Sequence, residues 1–113
     1  MDVKFNSKDL ENRIQNLISS SDKVTEGIVK ELGAIVHTSA RNSVPVDSGD
    51  LKKSITFDVN GKSATVGTPL HYAPYVEYGT SRQSPQPYMR PAVKEANKVA
   101  LDVAKAVLNK YDK

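Results

Sequence analysis

The sequence predicts an α+β fold, and three stretches of patterned residues carry that prediction. Residues 8–43 and residues 91–110 repeat apolar side chains at three- and four-residue steps, which is the spacing of amphipathic helices. Between them, residues 54–67 alternate apolar and polar side chains around an Asn-Gly pair, which is typical of a β-hairpin. A chain of 113 residues has room for one hydrophobic core, so we expect a single domain over residues 1–113.

The N-terminal helix is expected over residues 8–43, either as one long helix or as two helices that meet near Ser21. The run from Ser19 to Asp22 interrupts the apolar stripe with side chains that favour helix ends. An unbroken helix would be about 54 Å long at 1.5 Å per residue, which is longer than a compact domain of this size. The sequence leaves both possibilities open.

The segment after this helix is expected to stop it and to reverse the chain. A proline disfavours helical geometry at the residue before it, and the hydroxyl and carboxylate side chains that follow can cap a short turn. The residues assigned to this reversal are Pro45, Asp47, Ser48, Gly49 and Leu51.

The hairpin is the clearest local prediction, because Asn60 and Gly61 both tolerate the positive φ angles of a two-residue turn. The pairs that this loop predicts are Val59 with Lys62, Phe57 with Ala64 and Ile55 with Val66. Two strands alone are marginal in water. We therefore expect a small antiparallel sheet, with a further strand from residues 2–6, from residues 80–90 or from a neighbouring subunit.

Two helices are expected in the C-terminal half. Pro74 suits a first helical turn and Gly79 suits the position after a last turn, so residues 73–78 are predicted to form a short tyrosine-rich helix. Pro91 suits the first position of the amphipathic C-terminal helix, which is predicted to run to about residue 110. The polar residues 81–86 between them are predicted to form a loop.

The composition argues against most kinds of catalytic or metal site. The chain has no cysteine, and its two histidines, His37 and His71, lack metal-ligand spacing. Phosphate-loop and nucleophile-elbow motifs are absent. We therefore expect no enzyme, with no catalytic residue, cofactor or metal. A small enzyme around His71, Glu77 and Tyr72 is the least favoured alternative.

Charge and hydropathy narrow the possible partners. The formal net charge is +3, made of −1 over residues 1–60 and +4 over residues 61–113, where the lysines are spread along the last helix. A solvated helix face explains them. No apolar run is long enough for a signal peptide or a membrane span, so we expect no membrane contact.

Tyrosines at positions 72, 75, 78 and 88 admit three interpretations. Core packing ranks first, and a subunit interface, where Tyr and Arg are enriched, ranks close behind. The third is a nucleic-acid-binding module in which tyrosines stack on bases beside arginines. The residues of that third interpretation are Tyr75, Tyr78, Arg82 and Arg90.

Three blocks of sequence together resemble a known family. Residues 44–55 read VPVDSGDLKKSI, residues 71–80 read HYAPYVEYGT, and residues 86–92 read QPYMRPA. In this order and spacing they resemble the small tail-component family of long-tailed bacteriophages, which are tail-completion or head–tail connector proteins of the neck. Ser48 stands where threonine is commoner in the family, and it keeps the hydroxyl group.

The resemblance implies a structural protein of the virion, assembled in the bacterial cytoplasm. It implies a cyclic homo-oligomer, a hexamer that matches a tail tube, which contacts other neck and tail proteins and lets DNA at most pass through. Cyclic rings are built from heterologous contacts. The candidate interface residues are Tyr75, Glu77, Tyr78, Thr80, Arg82, Gln83 and Arg90. We further expect Glu77 and Arg90 to form an ion pair, within the domain or across a subunit boundary.

Overall fold

A computed structural model describes residues 1–6, 22–45 and 49–111, and it confirms the α+β class. The described elements are β1 (Asp2–Asn6), α1 (Asp22–Ser43), α2 (Gly49–Ser54), β2 (Thr56–Asn60), β3 (Ser63–Gly67), α3 (Ala73–Tyr78) and α4 (Met89–Tyr111). The predicted helix over residues 8–21, its continuity with the rest, and the caps at Asp47 and Ser48 lie outside the described residues.

Helix α1 supplies much of the hydrophobic core. Its stripe of Ile28, Leu32 and Val36 is buried, and the helix packs most extensively along α4. Small side chains on α4, at positions such as Ala96 and Ala104, are also buried and allow the two helices to approach closely. Helix α1 ends at Ser43, two residues before Pro45, where the sequence predicts that it stops.

The sheet has three antiparallel strands in the order β1-β3-β2. Residues 2–6 supply the third strand, which is one of the three sources that the sequence left open. Alternate residues of β3, Ala64 and Val66, are buried beneath α1, whereas Ser63 and Thr65 lie on the opposite, open face. The sheet therefore packs against α1 with one face, and α4 packs along α1.

The predicted register of the hairpin is wrong. The loop lies one residue further along the chain than predicted, so each residue of β2 pairs with a residue two positions beyond its predicted partner. The observed partners include Asn60 with Ser63, Val59 with Ala64 and Phe57 with Val66, so the loop is Gly61-Lys62. Both registers place apolar residues opposite one another, so the alternation could not distinguish them. Gly61 has φ +59° and no described non-glycine residue has positive φ, which matches a turn whose first central residue is glycine. Ile55 precedes β2 and is buried in the core.

A close contact between α1 and the sheet depends on Gly33. A Cβ atom at this position would lie 2.5 Å from the Phe57 ring and 2.9 Å from the Cβ atom of Ala64. The missing side chain therefore lets the helix backbone approach the sheet. Nearby, His37 stacks on Phe57 and its Nε2 atom donates to the Ile55 carbonyl at 3.1 Å, so this histidine has a packing role.

Candidate subunit interface

Helix α3 spans Ala73–Tyr78, as the sequence predicts from Pro74 and Gly79. The N–H of Gly79 closes the helix by donating to the Tyr75 carbonyl at 2.8 Å. Gly79 adopts φ 78° and ψ 177°, a conformation that is essentially restricted to glycine. A Cβ atom there would lie 2.7 Å from the backbone nitrogen of Pro85, so the following loop folds directly back over the helix end.

The loop after α3 is a hydrogen-bonded turn. The backbone N–H of Thr80 donates to the Gln83 carbonyl at 2.9 Å, and the backbone N–H of Gln83 donates to the Thr80 carbonyl at 3.3 Å. The Thr80 hydroxyl accepts the Arg82 N–H at 3.2 Å. Further on, the N–H of Gln86 donates to the Val76 carbonyl at 2.8 Å, which ties the loop to α3. The side chains at positions 80, 82 and 83 are exposed on this turn.

The carboxylate of Glu77 is fully buried and joins α3 to the start of α4. One oxygen, Oε1, accepts the backbone N–H groups of Tyr88 and Met89 at 2.9 and 2.8 Å. The other, Oε2, accepts the backbone N–H of Arg90 at 3.1 Å and its Nε–H at 2.9 Å. Arg90 also donates from Nη2 to the Glu77 carbonyl at 2.7 Å. The predicted ion pair between Glu77 and Arg90 therefore forms within one chain.

This arrangement makes Glu77 the N-terminal cap of α4. The first N–H groups of a helix have no intrahelical acceptor, and its N-terminus attracts negative charge. Because Glu77 fills that role, α4 begins at Met89 and not at Pro91, where the sequence predicts its start. Pro91 is the third residue of the helix, still within the first turn, where its missing N–H removes no hydrogen bond.

Glu77 stays ionised despite its burial. Burial acts to raise the pKa of its carboxyl group, but the backbone N–H groups of Met89, Tyr88 and Arg90 and the Arg90 side chain together hold that pKa below its ordinary value of 4.5. No buried side-chain polar atom among the described residues lacks a hydrogen-bond partner. Both oxygens of the buried Glu77 carboxylate therefore have hydrogen-bond donors within the chain.

Tyr88, one of the four tyrosines for which the sequence favours core packing, completes the same junction. Its ring is fully buried, and its hydroxyl donates to the Ala73 carbonyl at 3.3 Å, which links the start of α3 to the start of α4. Burial, with the nearby charge of Glu77, raises the pKa of Tyr88 to about 12. The core-packing interpretation is right for this tyrosine.

Two other tyrosines lie on the surface. Tyr75 is 56% exposed and Tyr78 is 59% exposed, so the core-packing interpretation is wrong for both. The guanidinium of Arg90 lies 4.7 Å from the centre of the Tyr78 ring, a cation–π distance. We call the exposed set Tyr75, Tyr78, Arg82, Gln83 and Arg90 the tyrosine face. Glu77, which the sequence grouped with these residues, is buried, and of this set its carboxylate bonds Arg90.

A comparison with known protein families gives the same family that the sequence blocks resemble. A family model described as "HK97-gp10_like: Bacteriophage HK97-gp10, putative tail-component" matches residues 8–79. The chain belongs to this phage tail-component family. No curated protein and no solved structure matches it.

The match to the tail-component family covers the first block and all but the last residue of the second, and it ends before the third. It includes Glu77 but stops short of residues 86–92, which supply every hydrogen-bond donor to its carboxylate. As a phage tail component, the protein is a structural part of the virion and contacts other tail proteins. No described group of three His, Asp or Glu residues could hold a metal, and none of the described helices could cross a membrane.

Proposed function

We propose that this tail component is a ring subunit of the phage neck, acting in tail completion and head–tail joining. Its chain forms one neck domain over residues 1–113 and has no catalytic role. The observation that supports this proposal is the tyrosine face, where two large aromatic side chains are more than half exposed on a helix that is hydrogen-bonded to the start of α4. Tyrosine and arginine are the residues that most often anchor protein interfaces.

The proposed assembly is a cyclic hexamer in the virion, formed in the bacterial cytoplasm. Neighbouring subunits and other neck and tail proteins are its partners, and DNA passes through the ring without being held. The contacts of Arg90 with Glu77 and with the Tyr78 ring support this role, because a side chain that is positioned before binding loses less conformational entropy when it meets a partner. The residues proposed to make the contacts are Tyr75, Tyr78, Thr80, Arg82, Gln83 and Arg90, with Glu77 positioning them.

The test is an in vitro joining reaction. Tails assembled without this protein are incubated with the purified protein and then with filled heads, and the infectious particles are counted. The mass of the protein is measured alone and after binding to tails. We expect Tyr75→Ala to weaken binding to tails by roughly thirtyfold, which is the size of a 2 kcal/mol hot spot.

A matched control removes an apolar side chain from another surface. Leu101 on α4 is 45% exposed, so Leu101→Ala removes a comparable exposed apolar group without touching the tyrosine face. This variant should join heads to tails as well as the wild-type protein does. A wild-type protein that stays monomeric with tails and heads, and that leaves the particle count unchanged, would contradict the proposal.

The alternative function, a nucleic-acid-binding module using Tyr75, Tyr78, Arg82 and Arg90, is less well supported. The Arg90 side chain already bonds the Glu77 carboxylate and lies over the Tyr78 ring, so its charge is largely compensated within the chain. Binding through a basic surface would weaken steeply as salt rises. A filter-binding titration at low salt distinguishes the two functions, since the ring subunit should retain no DNA.

A further inference from the structure

Both edges of the sheet are open in the described part of the chain. Strands β1 and β2 flank β3, and neither pairs with another described strand on its outer side. Unpaired edges are a liability that proteins usually blunt with prolines, bulges or charges pointing inward. Strand β2 reads Thr-Phe-Asp-Val-Asn, and it has none of these on its core-facing side. Val59 on that side is 39% exposed, so β2 presents an apolar edge.

The two edges match each other in the central rows of the sheet. Because β1 and β2 both run antiparallel to β3, they run in the same direction. On the core side, Val3 and Phe57 flank Val66 in one row, and both are only partly buried. On the open side, Lys4 and Asp58 flank Thr65 in the next row. These two central rows thus end in an apolar pair and in a pair of opposite charges.

The position of these charges distinguishes two ways of pairing copies. Lys4 and Asp58 are the central residues of their strands. An antiparallel pair of β2 strands centred on Asp58 would bring two carboxylates together, and a pair of β1 strands centred on Lys4 would bring two ammonium groups together, both of which are unfavourable. Pairing β2 of one copy with β1 of the next brings Lys4 beside Asp58.

We propose that β2 of each subunit pairs with β1 of the next copy, parallel and in register, so that the sheet continues from subunit to subunit. This inference rests on the proposed ring. The contact joins two different edges, and such heterologous contacts form a ring when the rotation between successive subunits closes. Asp58 of one copy then faces Lys4 of the next on the open side. On the core side, Val3 of the next copy lies beside Phe57. Val59, which flanks Ala64 in a neighbouring row, adds a second apolar side chain to this edge.

The first test uses charge reversal and mixing. Lys4→Glu places two acids at every contact, and Asp58→Lys places two bases there, so each variant alone should assemble about tenfold more weakly than the wild-type chain. An equimolar mixture can alternate around an even-numbered ring, where every contact again joins opposite charges. Assembly of the mixture, measured by native mass spectrometry, should return to near the wild-type level. A loss caused by misfolding within one chain would not be repaired by mixing.

The second test traps the contact covalently on the particle. The natural chain has no cysteine, so a variant with Lys4→Cys and Asp58→Cys carries the only two thiols. Within one chain these positions are two strand spacings apart, about 10 Å, which is too far for a disulfide. Oxidation of tail-bound protein should therefore produce a ladder of covalent multimers. The variant Lys4→Cys with Lys98→Cys, which moves one thiol to an exposed position on α4, should produce no ladder.

The outcomes separate this inference from the proposed function. Wild-type protein that joins heads to tails, with charge variants that assemble normally and cysteine variants that form no ladder, would overturn the strand pairing and leave the ring intact. Wild-type protein that neither assembles nor joins would overturn the ring itself. A ladder together with recovery of assembly on mixing would support both.

Discussion

The α3–α4 junction and the contact of α1 with the sheet at Gly33, which we call the crossing, are both buried, but different interactions stabilise them. The junction depends on one carboxylate and the donors that surround it, whereas the crossing depends on the absence of a side chain at Gly33. Buried polar groups are costly when even one partner is missing, while apolar contacts lose stability in proportion to the misfit. The two regions should therefore respond very differently to conservative substitutions.

The largest effect is expected at the junction. Glu77→Gln keeps the size of the side chain but replaces an acceptor with an amide that faces N–H donors. We expect it to lower the free energy of unfolding by about 4 kcal/mol, since a neutral amide replaces a buried carboxylate that accepts hydrogen bonds from three backbone N–H groups and from the Arg90 side chain. Urea denaturation followed by circular dichroism measures this loss.

The control for that variant lies on the exposed side of α4. Glu95→Gln makes the same chemical change on an exposed side chain of the same helix. It should alter the free energy of unfolding by no more than about 0.5 kcal/mol. Equal effects at both positions would show that Glu77 does not hold the junction.

Acid should weaken the junction without any mutation. The pKa of Glu77 is below its ordinary value in the folded chain, so its contribution to stability is complete above about pH 4.5 and decreases as the pH falls toward the folded pKa. The difference in melting temperature between wild-type protein and Glu77→Gln should therefore be constant from pH 5 to 7 and should shrink below pH 4. A difference that grows in acid would contradict the assignment.

A smaller loss of stability is expected at Gly79, where the chain leaves α3. Gly79→Ala combines a glycine-only conformation with a Cβ atom 2.7 Å from the Pro85 nitrogen, and it should cost about 2–3 kcal/mol. Gly61 also has positive φ, but no atom lies within 4 Å of the position where its Cβ would be. Gly61→Ala should therefore cost only about 1 kcal/mol. Thermal unfolding of the two variants measures the difference, and equal losses would mean that the loop after α3 yields to the added methyl group.

The smallest effect is expected at the crossing. Gly33→Ala adds a methyl group against the Phe57 ring, and overpacking of this kind costs about 1–3 kcal/mol. The same change improves helix propensity by about 1 kcal/mol, so the net loss should be about 1 kcal/mol. The double variant Gly33→Ala with Phe57→Leu frees space for the methyl group. A double-mutant cycle should show the two changes coupling favourably, and strict additivity would contradict the contact.

Local signals in the sequence predicted most of the elements. Pro74 and Gly79 fixed both ends of α3, because each acts on the backbone of its own turn. Alternation and Asn60-Gly61 predicted the hairpin but not its register, since the apolar residues oppose one another in either alignment. The apolar pattern also predicted the body of α4.

Contacts between distant residues could not be predicted in the same way. Glu77 caps a helix that begins twelve residues later, so no capping motif appears in the sequence near Met89. The predicted pairing of Glu77 with Arg90 rested on opposite charges in two motif blocks, and it did not extend to the backbone donors. Gly33 gave no sign of its contact with Phe57, because a close approach of backbone to sheet depends on tertiary structure.

The sheet order has a consequence for the sequence of folding events. Strand β1 lies about 60 residues along the chain from its partner β3, whereas Glu77 lies about a dozen from the N–H groups that it binds. Closing the longer loop costs more entropy, and contacts between near neighbours form sooner. We therefore expect the hairpin and the α3–α4 junction to form first and β1 to dock last. Until it docks, a newly made chain exposes one side of β3, and an identical β1 from another chain could occupy that side.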